Sequence, residues 1–182
     1  QVPSVRGAML HLVLLYSLLA ALYVLALQLA ALIESLGPSG FGALLAMSGV
    51  GMAIGAVVIA QAGHRFSRRI LSATGLGTIT WTLVLLSQLR GSLVFTLSLC
   101  GILGVGAALV AIPAQTTIQE ETPESERGRV FGLQNNLINI ALSLPLVLAG
   151  TLVSSIGLQP VLLLLAGLAL TAALIERPWQ RC

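Results

Sequence analysis

The chain has 182 residues, of which 57% are hydrophobic and 8% charged: nine Arg, six Glu, no Lys and no Asp. Soluble domains carry roughly 25% charged residues and turn most of their shell to water, so a mean hydropathy of +0.99 excludes an ordinary soluble fold. The pI near 9.5 comes from arginines in short segments between apolar runs, which argues for membrane topology and against a nucleic-acid partner.

In chain order the sequence predicts six membrane-spanning helices, at residues 8–33, 39–62, 70–89, 92–115, 130–156 and 158–175. The first contains 14 Leu, Val and Ile residues, and only His11 could carry charge. Those aliphatics contribute about −4 to −8 kcal/mol on the insertion scale, which outweighs His11 and Gln28. Pro38, in the run Gly37-Pro38-Ser39-Gly40, breaks the chain between the first two spans. A charged loop is expected over 119–129. The sixth span is short, roughly 27 Å at 1.5 Å per residue, yet comparable with a hydrocarbon core of about 30 Å. The runs are too long for strands and lack the alternation of an outer-membrane barrel.

Orientation follows from arginine placement. Arg6, Arg65, Arg68, Arg69, Arg127, Arg129, Arg177 and Arg181 fall on one side of a six-span arrangement, and Arg90 alone on the other. The positive-inside rule then places both termini in the cytoplasm and the chain in the cytoplasmic (inner) membrane. Trp179, between Arg177 and Arg181, suits an interfacial anchor. The chain begins at Gln1 and shows no cleavable leader, so it is expected to be a fragment or a split subunit.

Lipid gives helices no hydrophobic reason to associate, so close approach at small residues supplies packing. The second span offers Gly51 and Gly55, followed by Ala56 and Ala60; the fourth offers Gly101, Gly104, Gly106 and Ala108. These suit either static packing or sliding contacts. Pro113 and Pro145 each remove a backbone donor within a span and free the carbonyl four residues earlier.

Polar groups inside the spans are the site candidates. The fifth span carries Gln134, Asn135, Asn136, Asn139 and Ser143. Gly132, Asn136, Asn139, Ser143 and Gly150 fall on one helical face, which would line a substrate path or bond to another helix. Gln28 is a further path candidate, with Tyr16 and Tyr23 weaker ones. Thr74, Thr78 and Thr82 repeat every four residues and are expected to bond their own helix.

Two loops carry more specific signals. After the second span the chain reads Gly63-His64-Arg65-Phe66-Ser67-Arg68-Arg69, and before the fifth it reads Thr122-Pro123-Glu124-Ser125-Glu126-Arg127-Gly128-Arg129-Val130. With six spans between cytoplasmic ends, these resemble the C-terminal half of a major facilitator superfamily transporter, over essentially the whole chain. Arg65, Arg68 and Arg69 match the basic positions of the family's glycine–acid–arginine–glycine–arginine loop, whereas His64 stands at the acid, and Ala60 and Ser67 stand at the glycines. The second loop looks like the family's drug and macrolide exporters.

The resemblance implies an all-α fold of two inverted three-helix repeats, completed by an N-terminal six-helix half as partner. The function it implies is efflux of a small amphiphilic or hydrophobic compound by alternating access. The alternative is a six-span scaffold or assembly subunit without transport. The acids Glu120, Glu121, Glu124 and Glu126 are expected to meet the Arg65–Arg69 cluster in a cytoplasmic latch, with Arg127 and Arg129 beside them; the bland alternative is a solvated loop.

No enzyme, cofactor or metal site is expected. Without Asp there is no aspartyl intramembrane protease, and no His follows His64 to serve a membrane serine protease. Cys100 and Cys182 have neither disulfide nor metal spacing. There is no phosphate loop.

Overall fold

The computed structural model describes residues 3–33, 40–88 and 92–175, and every regular element within them is helical. The long helices are α1 (Pro3–Leu32), α2 (Phe41–Ala62), α3 (Arg68–Gln88), α4 (Leu93–Glu121), α5 (Arg127–Ile156) and α6 (Leu158–Ile175), with single 3₁₀ turns at Gly63–Arg65 and Glu124–Glu126. Five stretches are long and apolar enough to cross a membrane: Ser4–Ala31, Phe41–Gln61, Arg68–Gln88, Leu93–Glu121 and Glu124–Ile156. Leu158–Leu174 is a shorter apolar helix. Arg90, Arg177, Trp179 and Arg181, used above for orientation and anchoring, lie outside the described residues, as do Pro38 and Cys182.

The expected charged loop over 119–129 is largely helical, which corrects the sequence reading. α4 runs on to Glu121 because Ala114, Thr117 and Ile118 continue its buried face. Ala114 and Ile118 pack there with Val5, Ala8 and Leu12 of α1. Thr122 ends the helix at φ −92°, ψ 120°, the extended backbone that a following proline favours. Pro123 then opens a 3₁₀ turn, and α5 begins at Arg127. At the far end of α5, Gly157 turns the chain at φ 87°, a backbone conformation that glycine adopts without strain.

α4 lies at the centre, packed on α2, α3 and α1; α5 packs on α1, and α3 on α6. The main core joins Leu15, Leu18 and Leu25 of α1 to Leu76, Ile79 and Leu83 of α3, and to Val161 and Leu162 of α6. A second cluster at the opposite end from Ile118 joins Ala26, Leu29 and Ala30 of α1 to Leu44 of α2 and Cys100 of α4.

The glycines of the second and fourth spans meet each other. A Cβ at Gly51 would overlap the Gly101 carbonyl, and one at Gly104 would overlap the Ser48 carbonyl. One at Gly55 would stand 2.7 Å from Ala108 Cβ. On the other side of α4, a Cβ at Gly75 would lie 2.7 Å from the Gly106 carbonyl oxygen. α4 is thus clamped between α2 and α3 by backbone-to-backbone approach, the contact that small residues permit where burial from water gives no drive.

Candidate functional site

The charged ends of four helices come together on one face of the bundle. Arg68, at the start of α3, forms an ion pair with Glu120 near the end of α4 and donates to Thr117 Oγ1 at 3.2 Å. Thr117 is itself buried and donates to the Pro113 carbonyl at 2.8 Å. Glu121 accepts from Ser4 Oγ at the start of α1. Adjacent acids at a helix C-terminus are unfavourable against its dipole, and here each has a donor from a different helix. Ser67 Oγ accepts from the Ile70 amide at 3.3 Å, so the serine standing at a family glycine caps α3.

Of the charges expected to meet across this face, one pair does so. Arg68–Glu120 joins the arginine cluster to the α4 acids. Glu121, expected to meet the same cluster, turns to Ser4 instead. Arg127 pairs with Glu124 of its own turn at 3.5 Å. Arg65, Arg69 and Arg129 are exposed on this face. The Arg68–Glu120 pair is 45% and 58% exposed, so its contribution falls within the ~0–1 kcal/mol of surface pairs. Arg68→Ala should accordingly lower stability by no more than about 1 kcal/mol, read as a small shift in thermal unfolding midpoint in detergent.

The polar residues of α5 divide into two sets. Gln134 is buried and its Nε2 donates to Gln115 Oε1 of α4 at 2.7 Å. Gln134, Ala141, Ala149 and Val153 are the buried residues of α5. Gly132, Asn135, Asn136, Asn139 and Ser143 are exposed. With 3.6 residues per turn the exposed set centres nearly opposite the direction of Gln134 and Ala141. Ser143 Oγ donates to the Asn139 carbonyl at 2.8 Å; among the described residues, the amides of Asn135, Asn136 and Asn139 take no hydrogen bond. Gly150, at the end of the stripe, is half-buried and nearest Val24 of α1.

Gln28 is exposed on α1, one turn beyond Val24 and some 15 residues, roughly 22 Å at 1.5 Å per residue, from the level of Asn139. The structure does not bring it to the asparagine stripe. The threonines of α3 behave as expected: Thr74, Thr78 and Thr82 donate to the carbonyls of Ile70, Thr74 and Thr78 at 2.7 to 2.8 Å. Tyr23 makes an edge-on contact with Phe41, ring centroids 5.9 Å apart.

Ser4, Gln115 and Thr117 were not singled out by the sequence. Gln115 had a legible signal, since it and Gln134 are the amides flanking the charged connection. Ser4 had none, being one hydroxyl in a terminal segment.

The profile of the Major Facilitator Superfamily matches residues 9–178. The chain belongs to this superfamily. Members of the superfamily are membrane transporters, and the described helices have the length and apolarity that setting requires. No curated protein matches the chain in sequence. The arginine-rich segment Arg65–Arg69 and the acid-rich end of α4 are neighbours in space through Arg68 and Glu120.

Proposed function

We propose that the chain is the C-terminal six-helix half of an exporter. It would move a small amphiphilic or hydrophobic compound out of the cell by rocking against an N-terminal half. The observation that carries this reading is the exposed face of α5. Asn135, Asn136 and Asn139 project away from the bundle's own core. Hydrocarbon offers an amide neither donor nor acceptor, and unpaired polar groups there cost several kcal/mol. A wet path or the wall of a second half supplies the missing partners; plain lipid does not.

Two further features support it. α2 pairs with α4 as α5 pairs with α1, the exchange expected of two inverted three-helix repeats in which α6 serves as a short sixth span. The Arg68–Glu120 contact is weak enough to open and close in each cycle, as a cytoplasmic latch must. Arg65, Arg69, Arg127 and Arg129 would guide its closure on the same face, with both termini in the cytoplasm.

Impermeant thiol labelling tests the topology. Single cysteines near Arg65, Arg90 and Glu124, in a background lacking Cys100 and Cys182, should label from outside only near Arg90. External labelling near Arg65 or Glu124 would remove the six-span reading.

A further inference from the structure

α4 and α5 are joined by a short turn at the charged end, yet they barely touch: α4 packs on α2, α3 and α1, while α5 leans on α1. The gap between them is crossed by two long side chains, Gln115 and Gln134. Gln134 is 8% exposed, and its Oε1 has no hydrogen-bond partner among the described residues. A buried acceptor left in that state carries its full desolvation penalty, and buried side-chain polar atoms are with few exceptions paired.

The nearby hydroxyls cannot serve it. Thr116 and Thr117 spend their protons on the Ile112 and Pro113 carbonyls at 2.9 and 2.8 Å. Arg68 is engaged by Glu120 and Thr117. Among the residues gathered at this end, Ala114, Ile118, Val130 and Phe131 offer no donor side chain, and the Tyr16 hydroxyl packed against the same cluster makes no bond to Gln134 Oε1. The donor must therefore be brought in. The next residues along α5, Asn135 and Asn136, are exposed, but they turn away from the direction of Gln134, so the acceptor faces the seam with α4 and not the polar stripe.

We propose that the α4–α5 seam is a binding site for one hydrogen-bond-donating group, a hydroxyl or an amine N–H, received by Gln134 Oε1. Gln115 holds the Gln134 amide in place by accepting from its Nε2, so that the carbonyl end is presented to the occupant. Two sources share this chemistry: a water molecule resident in the seam, and the donor group of a small solute that enters the seam between α4 and α5. The solute source rests on the exporter reading; the water source does not.

The test uses the 182-residue chain in lipid nanodiscs. One measurement is magnetisation transfer from water to the Gln134 side-chain amide by NMR. The other is the thermal unfolding midpoint with 1-hexanol, hexylamine or hexyl methyl ether, the ether having no donor. Water transfer to Gln134 that persists under saturating hexanol supports a resident water. A saturable rise in midpoint with hexanol or hexylamine and none with the ether, absent in Gln134→Met, supports the solute donor. Absence of water transfer, together with equal effects of hexanol and the ether, would overturn the site. A Gln115→Met/Gln134→Met double variant at least as stable as the parent would also overturn it, since a dry amide pair is replaceable by apolar groups of the same shape. The readings on the unsubstituted chain stand even where Gln134→Met fails to fold. Neither requires transport, so failure of the exporter reading would appear separately.

Discussion

Gly104→Val should abolish assembly of the bundle. The Cβ that valine must carry would overlap the Ser48 carbonyl of α2, and the obstacle is backbone, which has no rotamer to yield. Ordinary overpacking costs about 1–3 kcal/mol because side chains shift to accommodate it. Here α2 and α4 must separate along a seam that also depends on Gly51 against Gly101 and Gly55 against Ala108. The cost should therefore exceed about 3 kcal/mol, the upper end of that range. Size-exclusion chromatography of the detergent-solubilised variant should show little or no monodisperse protein. Gly77→Ala is the control: it sits in α3 with nothing within 4 Å of its added Cβ. A helical alanine should stabilise by roughly 0.5–1 kcal/mol relative to glycine. Normal recovery of Gly104→Val would mean that the two helices are not held at glycine distance.

Asn139→Leu should cut transport by the full transporter by at least tenfold, while Thr78→Val should stay within about twofold. A tenfold change corresponds to about 1.4 kcal/mol, of the order of one buried hydrogen bond. The contrast comes from where each group's hydrogen bonds go. The Thr78 hydroxyl is satisfied within α3 by the Thr74 carbonyl at 2.8 Å, so its loss changes nothing outside that helix. The Asn139 amide is exposed on the side of α5 away from the core. Its two donors and its acceptor must be met from beyond this bundle. Pro145 frees the carbonyl of Ala141, though Ala141 is buried, so that group belongs to the opposite side of α5 and adds nothing to the stripe. If Asn139→Leu lowers the unfolding midpoint while transport per folded molecule stays intact, the stripe is a helix-packing surface.

Much of the architecture was legible because apolar run length dictates it. The expected bounds of 158–175 for the last helix coincide with Leu158–Ile175. The end of α4 was less legible, since Gln119, Glu120 and Glu121 look like loop by charge. Only the packing of Ile118 on α1 shows why the helix continues past the apolar run. Within α5, helical periodicity grouped Gly132, Asn136, Asn139 and Ser143 correctly on one exposed face. It could not say that Gln134 is turned inward, because an amide's direction depends on which neighbour helix reaches it, and Gln115 lies 19 residues away in sequence. Partner choice among the loop charges was similarly out of reach. Sequence gave Arg68 and Glu121 the same opposite-charge logic, and three-dimensional position gave Glu121 to Ser4.

The most direct measurement of the central claim is aqueous access to α5 in the intact transporter in its membrane. Single cysteines would replace Asn139 on the polar face and Leu164 on the exposed face of α6, in a background lacking Cys100 and Cys182. Each would be reacted with a charged, membrane-impermeant methanethiosulfonate applied from both sides. The account predicts rapid modification at position 139 and protection at position 164, where the side chain faces lipid. Equal protection at both positions would contradict it, because the asparagine face would then border no water-filled path.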